Sequence, residues 1–510
     1  MPKLVRISCI IILFLSSCRT ARNAGDDGLI EAVFLQVNDV YEIAPLSAGK
    51  EGGIARLATI KKSYLSKNPN TFLVMAGDFL SPSVYHSLIY EGKPVRGKQM
   101  VEALNVAGLD LATFGNHEFD IRENELQERM DESSFKWISS NTFHKTGERI
   151  RPFVQKGKAI PKTLVIHTRD ADGTHAKIGV ITATLPFNMA DYVHYDEGLE
   201  TAKELYNLIK DSVDVVIALT HQSIDEDIRM AKEIPGLAMI MGGHEHDNRF
   251  VKQGRVYITK AHANAKSVYA LHLKMDLNRN KYELVPVLVY LNEEVALDSA
   301  TNVVVKKWSS IAENNFTAQG FDAGRVILNS YKGEPLDGRE TEVRRQATGL
   351  TRLIIKGIEH AAPQSVVAIM NGGSIRVDDE LHAPLTEYDI LRTLPFGGGI
   401  TEADIKGSLL VQVLEQGMKN SGTGGFLHFS HSALKRGGQW YINNNPVEPG
   451  KTYRVAFTEF LLTGKESNLA YLNPENPLVE KIYPAPPLSD LRSDLRLALI
   501  NYISSLNTEK

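Results

Sequence analysis

The sequence predicts an α/β fold, and three features of the chain indicate it. Between residues 31 and 292, short apolar runs alternate with charged, helix-patterned stretches such as GIARLATIKKSYLSKN and KQMVEALNVAGL. This alternation is typical of buried strands connected by helices. The content of 43% hydrophobic and 23% charged residues is that of a soluble globular protein. With 510 residues, the chain exceeds one ordinary core, so we expect roughly two to four domains.

Composition and pattern divide the chain into five segments. Residues 1–18 have the features of an export signal, and the polar stretch RTARNAGDDGLI at 19–30 suits a flexible tether. We expect a first α/β domain at 31–292 and a second one at 321–510. The intervening residues 293–320 are polar and compatible with a linking helix.

The export segment allows two interpretations. Lys3 and Arg6 precede the apolar run ISCIIILFL, which is too short to remain as a transmembrane helix. The following LSSC resembles a bacterial lipobox, in which Cys18 is lipidated and anchors the protein to a membrane. The alternative is an ordinary cleaved signal with an incidental cysteine. Both interpretations export the protein, to the periplasm, the outer membrane or the cell surface.

Charge and cysteine content exclude several classes of partner and site. The formal net charge of −4 gives no electrostatic reason to expect a nucleic-acid polymer as partner. The two cysteines, Cys9 and Cys18, both lie in the export segment. The folded part therefore has neither a disulfide framework nor a cysteine-based metal site.

Five apolar runs end in residues that can bind a metal ion. The runs are AVFLQVND, TFLVMAGD, LDLATFGN, DVVIALTH and GLAMIMGGHEH, and they end at Asp39, Asp78, Asn116, His221, and His244 with His246. Ligands of open α/β sheets bind beyond the carboxyl ends of the strands. Each motif alone is also an ordinary turn or structural histidine, but turn chemistry does not explain all five. We therefore expect a metal centre along one rim of the sheet.

Two spacings refine this expectation. Residues i and i+2 of an extended segment point to the same side, so His244 and His246 can face adjacent ions. His117 directly follows Asn116 and points away from the ligand direction. If NHEFD opens a helix, His117 and Asp120 share a face, and the carboxylate holds the imidazole and favours its charged form. The alternative is that Asp120 only caps or solvates the turn.

These motifs resemble the metallophosphoesterases of the 5'-nucleotidase group. The matching stretches are NDVYEI, GDFLSP, GNHEFD, LTHQSIDED and GGHEHD in the first half, and NGGSIR and LPFGG in the second, in the family's order. The resemblance implies a four-layer αββα metallophosphoesterase sandwich followed by a C-terminal α/β substrate-binding domain. It further implies two divalent ions bridged by Asp78. One ion would bind Asn116, His221 and His244, and the other would bind Asp39 and His246.

The implied chemistry is hydrolysis at phosphorus. Imidazole, amide and carboxylate ligands together favour zinc, manganese, iron or cobalt over calcium. A pair of such ions at roughly 3.5–4 Å activates water and stabilises the phosphoryl oxygens, so no covalent nucleophile is needed. By resemblance, His117 and Asp120 bind phosphate, and His117 can donate a proton to the leaving oxygen.

Position 41 departs from the family, which usually has a histidine there. The sequence has Tyr41, and a phenol ionises only near about pH 10 unless a strong Lewis acid lowers its pKa. Tyr41 is therefore a poorer ligand than imidazole for zinc or manganese. Three interpretations stay open: weak binding of the ion at Asp39 and His246 (the first ion site), a harder ion there such as ferric iron that binds a phenolate, or a tyrosine that only packs.

The second domain would select the substrate. By resemblance, the residues that bind a nucleoside and its phosphate are Asn371, Arg376, Phe396 and Phe460, with Arg344 and Glu466 as replacements for family residues in two altered segments. Two aromatic rings can stack on any base, so no base preference is predicted. The alternative for both phenylalanines is a place in the core.

The resemblance implies an exported phosphohydrolase that releases nucleoside and phosphate from nucleotides with two divalent ions. Two other substrates are compatible with the same scaffold, namely 2',3'-cyclic nucleotides and UDP-sugars. The Tyr41 substitution and the altered ribose segment also leave open a catalytically weak surface protein that binds nucleotides.

Overall fold

The computed structural model describes residues 25–187, 190–484 and 486–507. The export segment 1–18, with the lipobox cysteine, and tether residues 19–24 lie outside the described residues. The first strand begins at Leu29 rather than at residue 31, because Leu29 and Ile30 pair with Asp276 and Met275. Within the described ranges, no helix is long and apolar enough to cross a membrane.

Two six-stranded sheets form the centre of the N-terminal part. In spatial order, the first contains Lys281–Tyr290, Ser267–Asp276, Leu29–Val37, Thr71–Ala76, Leu111–Thr113 and Lys136–Trp137. The second contains Leu164–Arg169, His175–Thr184, Val215–His221, Leu237–Met241, Val256–Lys260 and Arg249–Gln253. The strands that precede the predicted metal-binding residues run parallel within each sheet, so their carboxyl ends lie at one rim.

The side-chain pattern of the first strand explains the layer order. Phe34 and its alternate neighbours pack between the two sheets, whereas Leu35 and its alternate neighbours pack against helices. The helices on that side are Ile54–Leu65, Lys98–Ala107 and Ser299–Ala318, and those outside the other sheet are Gly198–Ile209 and Ile224–Glu233. The order helix, sheet, sheet, helix confirms the predicted four-layer sandwich.

The helix Ser299–Ala318 leads from the first domain to the second. Its N-terminus is capped by Asp298, whose carboxylate accepts a hydrogen bond from the backbone N–H of Thr301 at 3.0 Å. Trp308 is fully buried, and its indole N–H donates to Glu102 at 2.9 Å. The linking segment is therefore packed firmly against the N-terminal sandwich.

The C-terminal domain contains a five-stranded sheet with the order Leu427–Phe429, Val367–Asn371, Thr452–Thr458, Ile400–Lys406 and Val479–Ile482. Its longer helices are Gly349–Ala361, Glu387–Thr393, Gly407–Lys419 and Leu495–Ser505. One apolar cluster continues from the helices of the sandwich through Trp308 into helix Gly349–Ala361. The predicted two-domain α/β architecture is thus confirmed.

Apart from the ten-residue helix Glu123–Glu132, which packs in the same apolar cluster as Lys98–Ala107, the remaining elements are short. The strands are Ile89–Tyr90, Lys93–Pro94, Thr142–Thr146, Arg149–Arg151, Val154–Gln155, Lys158–Ala159, Val193–Tyr195, Val326–Leu328, Leu336–Asp337, Glu380–Leu381, Leu385–Thr386, Ala433–Arg436, Gln439–Ile442 and Asn445–Pro446. The helices are Glu123–Glu132 and Glu340–Val343, and the single-turn 3-10 helices are Val84–Ser87, His117–Asp120, Gly372–Ser374, Glu459–Thr463 and Leu491–Ser493.

Candidate metal centre and substrate cavity

The five strand ends meet at the junction of the two sheets. Asp39, Asp78 and Asn116 follow three strands of the first sheet. His221 is the last residue of its strand in the second sheet, and His244 lies three residues beyond the next one. Because the rim is built from both sheets, residues from widely separated positions converge there.

The innermost group consists of Asp39, Asp78 and His221, all fully buried. One potential ligand atom from each lies within 4.8 Å of the other two. Nε2 of His221 is 3.1 Å from Oδ2 of Asp78 and 3.2 Å from Oδ1 of Asn116. Two buried carboxylates side by side require a nearby positive charge. The donor set of carboxylates, imidazole and amide fits a divalent transition ion.

Tyr41 lies inside this group rather than in the apolar core. Its hydroxyl is 3.4 Å from Oδ1 of Asp39 and from Oδ2 of Asp78, and 3.1 Å from Nε2 of His246. Burial, and next the charges of Asp78 and Asp39, raise the pKa of the phenol well above its usual value. The phenol is therefore protonated in the protein alone and can donate one hydrogen bond to a carboxylate.

The GHEH segment does not have the extended backbone that the sequence spacing predicted. His244 has φ +87, in the left-handed region, so the alternation of an extended strand does not apply to it. The two rings face different neighbours: the ring of His244 lies 5.5 Å from that of His221, and Nε2 of His246 lies 3.4 Å from Oδ1 of Asp39. The extended backbone was thus wrongly predicted, while the two imidazoles still lie at adjacent positions of the candidate centre.

Burial lowers the pKa of both imidazoles, but the neighbouring charges differ. Burial, assisted by His221, lowers the pKa of His244 to about 3, so this ring is neutral and keeps a lone pair for a metal. For His246, burial is outweighed by the carboxylates of Asp378 and Asp39, which raise its pKa to about 10. A cation bound beside His246 must therefore displace a proton from this ring.

Two glycines allow the loops that carry the predicted ligands to approach each other. A Cβ on Gly115 would lie 2.1 Å from Oδ1 of Asp78, and a Cβ on Gly243 would lie 2.3 Å from the carbonyl oxygen of Ala76. Both positions exclude any larger residue. Asp39 and Asp78 also have φ of 53 and 56, a region that aspartate tolerates better than most residues. The Gly-Asn and Gly-Gly-His motifs therefore reflect crowding at the centre.

His117 and Asp120 form the predicted pair. They lie at the two ends of the single-turn helix His117–Asp120, with Nδ1 of His117 2.7 Å from Oδ2 of Asp120. Burial disfavours the charged imidazole, but Asp120 and Asp78 outweigh it and hold the pKa of His117 well above its usual value. The hydroxyl of Ser81 also donates to Asp120 at 3.0 Å. The carboxylate thus orients the ring and leaves Nε2 for another partner.

Glu118 lies in the same motif, but its contribution was not predicted. Its carboxylate accepts four backbone hydrogen bonds, from the N–H groups of Asp78, Phe79, Leu80 and Gly115, at 2.6–3.1 Å. These amides belong to the loops that carry Asp78 and Asn116. The sequence signal was the acidic residue inside GNHEFD, which a pattern of metal-binding side chains does not single out.

The second domain contains a cavity of about 650 Å³. All six residues that the sequence predicted for substrate binding line it: Arg344, Asn371, Arg376, Phe396, Phe460 and Glu466. Phe396 is 70% exposed and Phe460 is 44% exposed, so neither ring belongs to the core. The guanidinium of Arg376 lies 5.6 Å from the ring of Phe396, and the amide of Asn371 donates to Glu466 at 2.6 Å.

Arg344 connects this cavity to the metal centre. It also lines a second cavity of about 400 Å³, whose other walls include Asp78, His117 and His244. A further side chain of the second domain, Asp378, reaches the centre itself. Its Oδ2 lies 3.2 Å from Nε2 of His246, and its backbone carbonyl accepts a hydrogen bond from Nδ1 of the same ring. Asp378 was not predicted, although it follows Arg376 by two residues in NGGSIRVDD.

Comparison with known proteins agrees with both halves of the chain. Residues 32–248 match the calcineurin-like phosphoesterase family, and residues 326–472 match the 5'-nucleotidase C-terminal domain. Protein UshA of Yersinia enterocolitica is 26% identical over 495 residues, covering 86% of each chain. The 5'-nucleotidase of Bos taurus is 24% identical over 469 residues, covering 81% of this chain and 78% of the relative.

A solved structure supports the fold. The crystal structure of the 5'-nucleotidase precursor from Thermus thermophilus superposes with a TM-score of 0.65 at 21% identity. The match covers 94% of this chain and 97% of that one. Both domains are therefore included in the likeness.

Proposed function

The chain belongs to the 5'-nucleotidase family of metal-dependent phosphoesterases, and from this premise we propose that it is an exported dinuclear-metal phosphohydrolase that releases nucleoside and phosphate from nucleotides. The observation that carries the proposal is the buried group of Asp39, Asp78 and His221 beside the His117–Asp120 pair. Such a combination joins an acidic cation site to an oriented proton donor.

The ligand set divides between two ions. Asn116, His221 and His244 would hold one ion, Asp39 and His246 would hold the other, and Asp78 would contact both. When bound, a pair of zinc, manganese, iron or cobalt ions supplies an activated water and neutralises phosphoryl oxygens.

His117 is the proposed proton donor. Asp120 accepts the Nδ1 proton at 2.7 Å, so Nε2 can hold the proton that passes to the leaving oxygen. Arg344 lines both cavities and is placed to bind the phosphate through its planar fork. Asp120 acts by orienting the imidazole.

The second domain would bind the nucleoside. Phe396 and Phe460 offer exposed rings on which a base can stack. Glu466 is 9% exposed, and its carboxylate accepts a hydrogen bond from the amide of Asn371. In the cavity wall, this carboxylate can also accept hydrogen bonds from sugar hydroxyls. This arrangement favours nucleotides over simple phosphate esters without selecting one base.

Tyr41 would make the ion site at Asp39 and His246 the weaker of the two. A protonated phenol among Asp39, Asp78 and His246 donates a hydrogen bond, whereas an imidazole there would supply a lone pair. Export would follow from residues 1–18, with lipidation of Cys18 as the anchor to the membrane.

Chromatographic analysis of the products from a substrate panel, with inorganic phosphate measured in parallel, tests the proposal, because 2',3'-cyclic AMP and UDP-glucose are cleaved without direct release of phosphate. The purified chain, supplied with Mn²⁺, is assayed with AMP, UDP-glucose and 2',3'-cyclic AMP. We expect release from AMP that is abolished by a chelator and falls by about 10²–10⁴-fold in His117→Ala. His194→Ala is the matched control, because His194 pairs with Asp196 at 3.1 Å on the surface and should keep full activity.

The alternatives give different results in the same panel. Turnover of 2',3'-cyclic AMP without AMP hydrolysis indicates a phosphodiesterase, and turnover of UDP-glucose alone indicates a nucleotide-sugar hydrolase. Nucleotide binding without cleavage of any substrate in the panel, at saturating Mn²⁺, would leave only a binding protein.

A further inference from the structure

Lys260 is a fully buried lysine behind the loops that carry three of the proposed ligands. Its side chain has no solvent exposure. Its ammonium donates to the backbone carbonyls of Gln222 at 2.6 Å and Gly243 at 2.8 Å. It also forms ion pairs with Asp227, at 3.0 Å, and with Glu245. This buried charge takes no part in the ion binding, proton donation or substrate binding proposed for the site.

The partners of Lys260 are the chain neighbours of the ligands. Gln222 follows His221, Gly243 precedes His244, and Glu245 lies between His244 and His246. One ammonium thus contacts the main chain of both histidine-bearing loops and the side chain that separates two of the ligands. These loops follow adjacent parallel strands of the second sheet.

The two carboxylates extend the network into the same loops. Asp227 accepts hydrogen bonds from the hydroxyl of Thr220 at 2.7 Å and from the amide of Gln222 at 3.0 Å. Glu245 accepts a hydrogen bond from the backbone N–H of Ile224 at 2.6 Å. Each acid is therefore bound both to Lys260 and to the loop after His221.

We propose that Lys260 is a positioning residue of the metal centre, which fixes the separation of the His221 loop and the His244–His246 loop through Gln222, Gly243 and Glu245. The inference rests on the proposed function, because it assumes that these imidazoles bind ions. Outer residues that hold metal ligands in place typically change metal affinity by about 10–100-fold when they are replaced. Lys260 contacts the chain neighbours of three proposed ligands and should lie within that range.

A purely structural role must be separated from a positioning role. Lys61 offers a matched control, because it is also buried. Its ammonium donates to the backbone carbonyl of Gly108 and, at 2.7 Å, to the carboxylate of Asp110. It belongs to helix Ile54–Leu65, outside the proposed site. Loss of either lysine leaves a carboxylate without its cation, so both variants should unfold at a lower temperature.

The test is a calorimetric Mn²⁺ titration of the full chain at a temperature where circular dichroism shows each variant folded. We expect Lys260→Met to weaken Mn²⁺ binding by about 10–100-fold, and Lys61→Met to bind within about twofold of the wild type. Glu245→Gln keeps the lysine and serves if Lys260→Met does not fold; it weakens only one of the contacts of Lys260, so we expect a loss of about 3–10-fold, below the range expected for Lys260→Met.

Two results overturn the inference. Either Lys260→Met or Glu245→Gln binds Mn²⁺ as tightly as the wild type, or Lys61→Met loses as much affinity as Lys260→Met. A wild-type chain that binds no Mn²⁺ at all refutes the proposed function itself. The two failures are therefore distinguishable in one titration series.

Discussion

Replacement of Glu118 by glutamine is the sharpest test of how the Asp78 loop is held. The carboxylate is fully buried, and each of its oxygens accepts two backbone N–H groups. Glutamine has nearly the same shape but replaces one oxygen by an amide NH₂. That NH₂ would face two backbone donors instead of accepting from them.

The magnitude follows from the number of donors left without an acceptor. A buried donor that loses its partner costs about 1–3 kcal/mol, and Glu118→Gln leaves two of them. We therefore expect the free energy of unfolding to fall by about 4 kcal/mol. Because the N–H of Asp78 is one of the four donors, Mn²⁺ affinity should also fall, by about 10–100-fold.

The assay combines denaturant unfolding with a Mn²⁺ titration. Glu387→Gln is the matched control, since Glu387 is buried and accepts a backbone hydrogen bond from Asp322 at 2.8 Å in the second domain. The control should lose stability but keep Mn²⁺ affinity. Glu118→Gln with wild-type stability, or with wild-type Mn²⁺ affinity, would refute the reasoning.

Three further predictions concern the substrate, the first ion site and pH. Phe396→Ala should raise KM for AMP about 10-fold or more, since a stacked base contributes about 1–3 kcal/mol. The same variant should hydrolyse ribose 5-phosphate, which has no base, as the wild type does. Phe250→Ala, which alters an exposed ring outside the cavity, should leave KM for AMP unchanged. In Tyr41→His, calorimetry should show tighter Mn²⁺ binding at the weaker site, because the imidazole supplies a lone pair. Tyr41→Phe should bind the same number of ions as the wild type. Loss of an ion in Tyr41→Phe would show that the phenol is a ligand. Burial lowers the pKa of His428 to about 4, and the neutral ring donates a hydrogen bond to the carbonyl of Val343 at 2.7 Å. In the unfolded chain the ring takes up its proton near about pH 6.5. The stability contributed by the neutral ring is therefore complete above about pH 6.5 and declines as the pH falls towards 4. Urea unfolding should therefore show a loss of up to about 3 kcal/mol over that interval that is absent in His428→Gln; equal pH slopes in both proteins would contradict this.

The sequence was most informative where a local rule and a chemical type coincided. Apolar runs that end in Asp78, Asn116 or His221 predict both a buried strand and a ligand at its carboxyl end, and parallel strands bring such ends together. The spacing of His117 and Asp120 similarly predicts one shared face of a helical turn. These features depend on residues close in the chain.

Other features depended on contacts that local pattern does not encode. Asp378 comes from the other domain and approaches His246 across 132 positions of the sequence. Glu118 and Lys260 act through backbone groups, which are the same for every residue type, so their side chains give no signal of which loops they hold. The backbone at His244 is left-handed, and Gly243 before it packs closely against Ala76; the residue pattern GHEH gives no signal of either feature.

Stoichiometric metal analysis of the wild-type chain and Asp78→Asn tests the central claim most directly. After dialysis against Mn²⁺ and removal of unbound ions, we expect two ions per wild-type chain and loss of both in Asp78→Asn, because Asp78 is proposed to contact both. Asp389→Asn, which alters a buried acid of the second domain, should still hold two. A wild-type chain without bound ions, or an Asp78→Asn variant that retains both, would contradict the account.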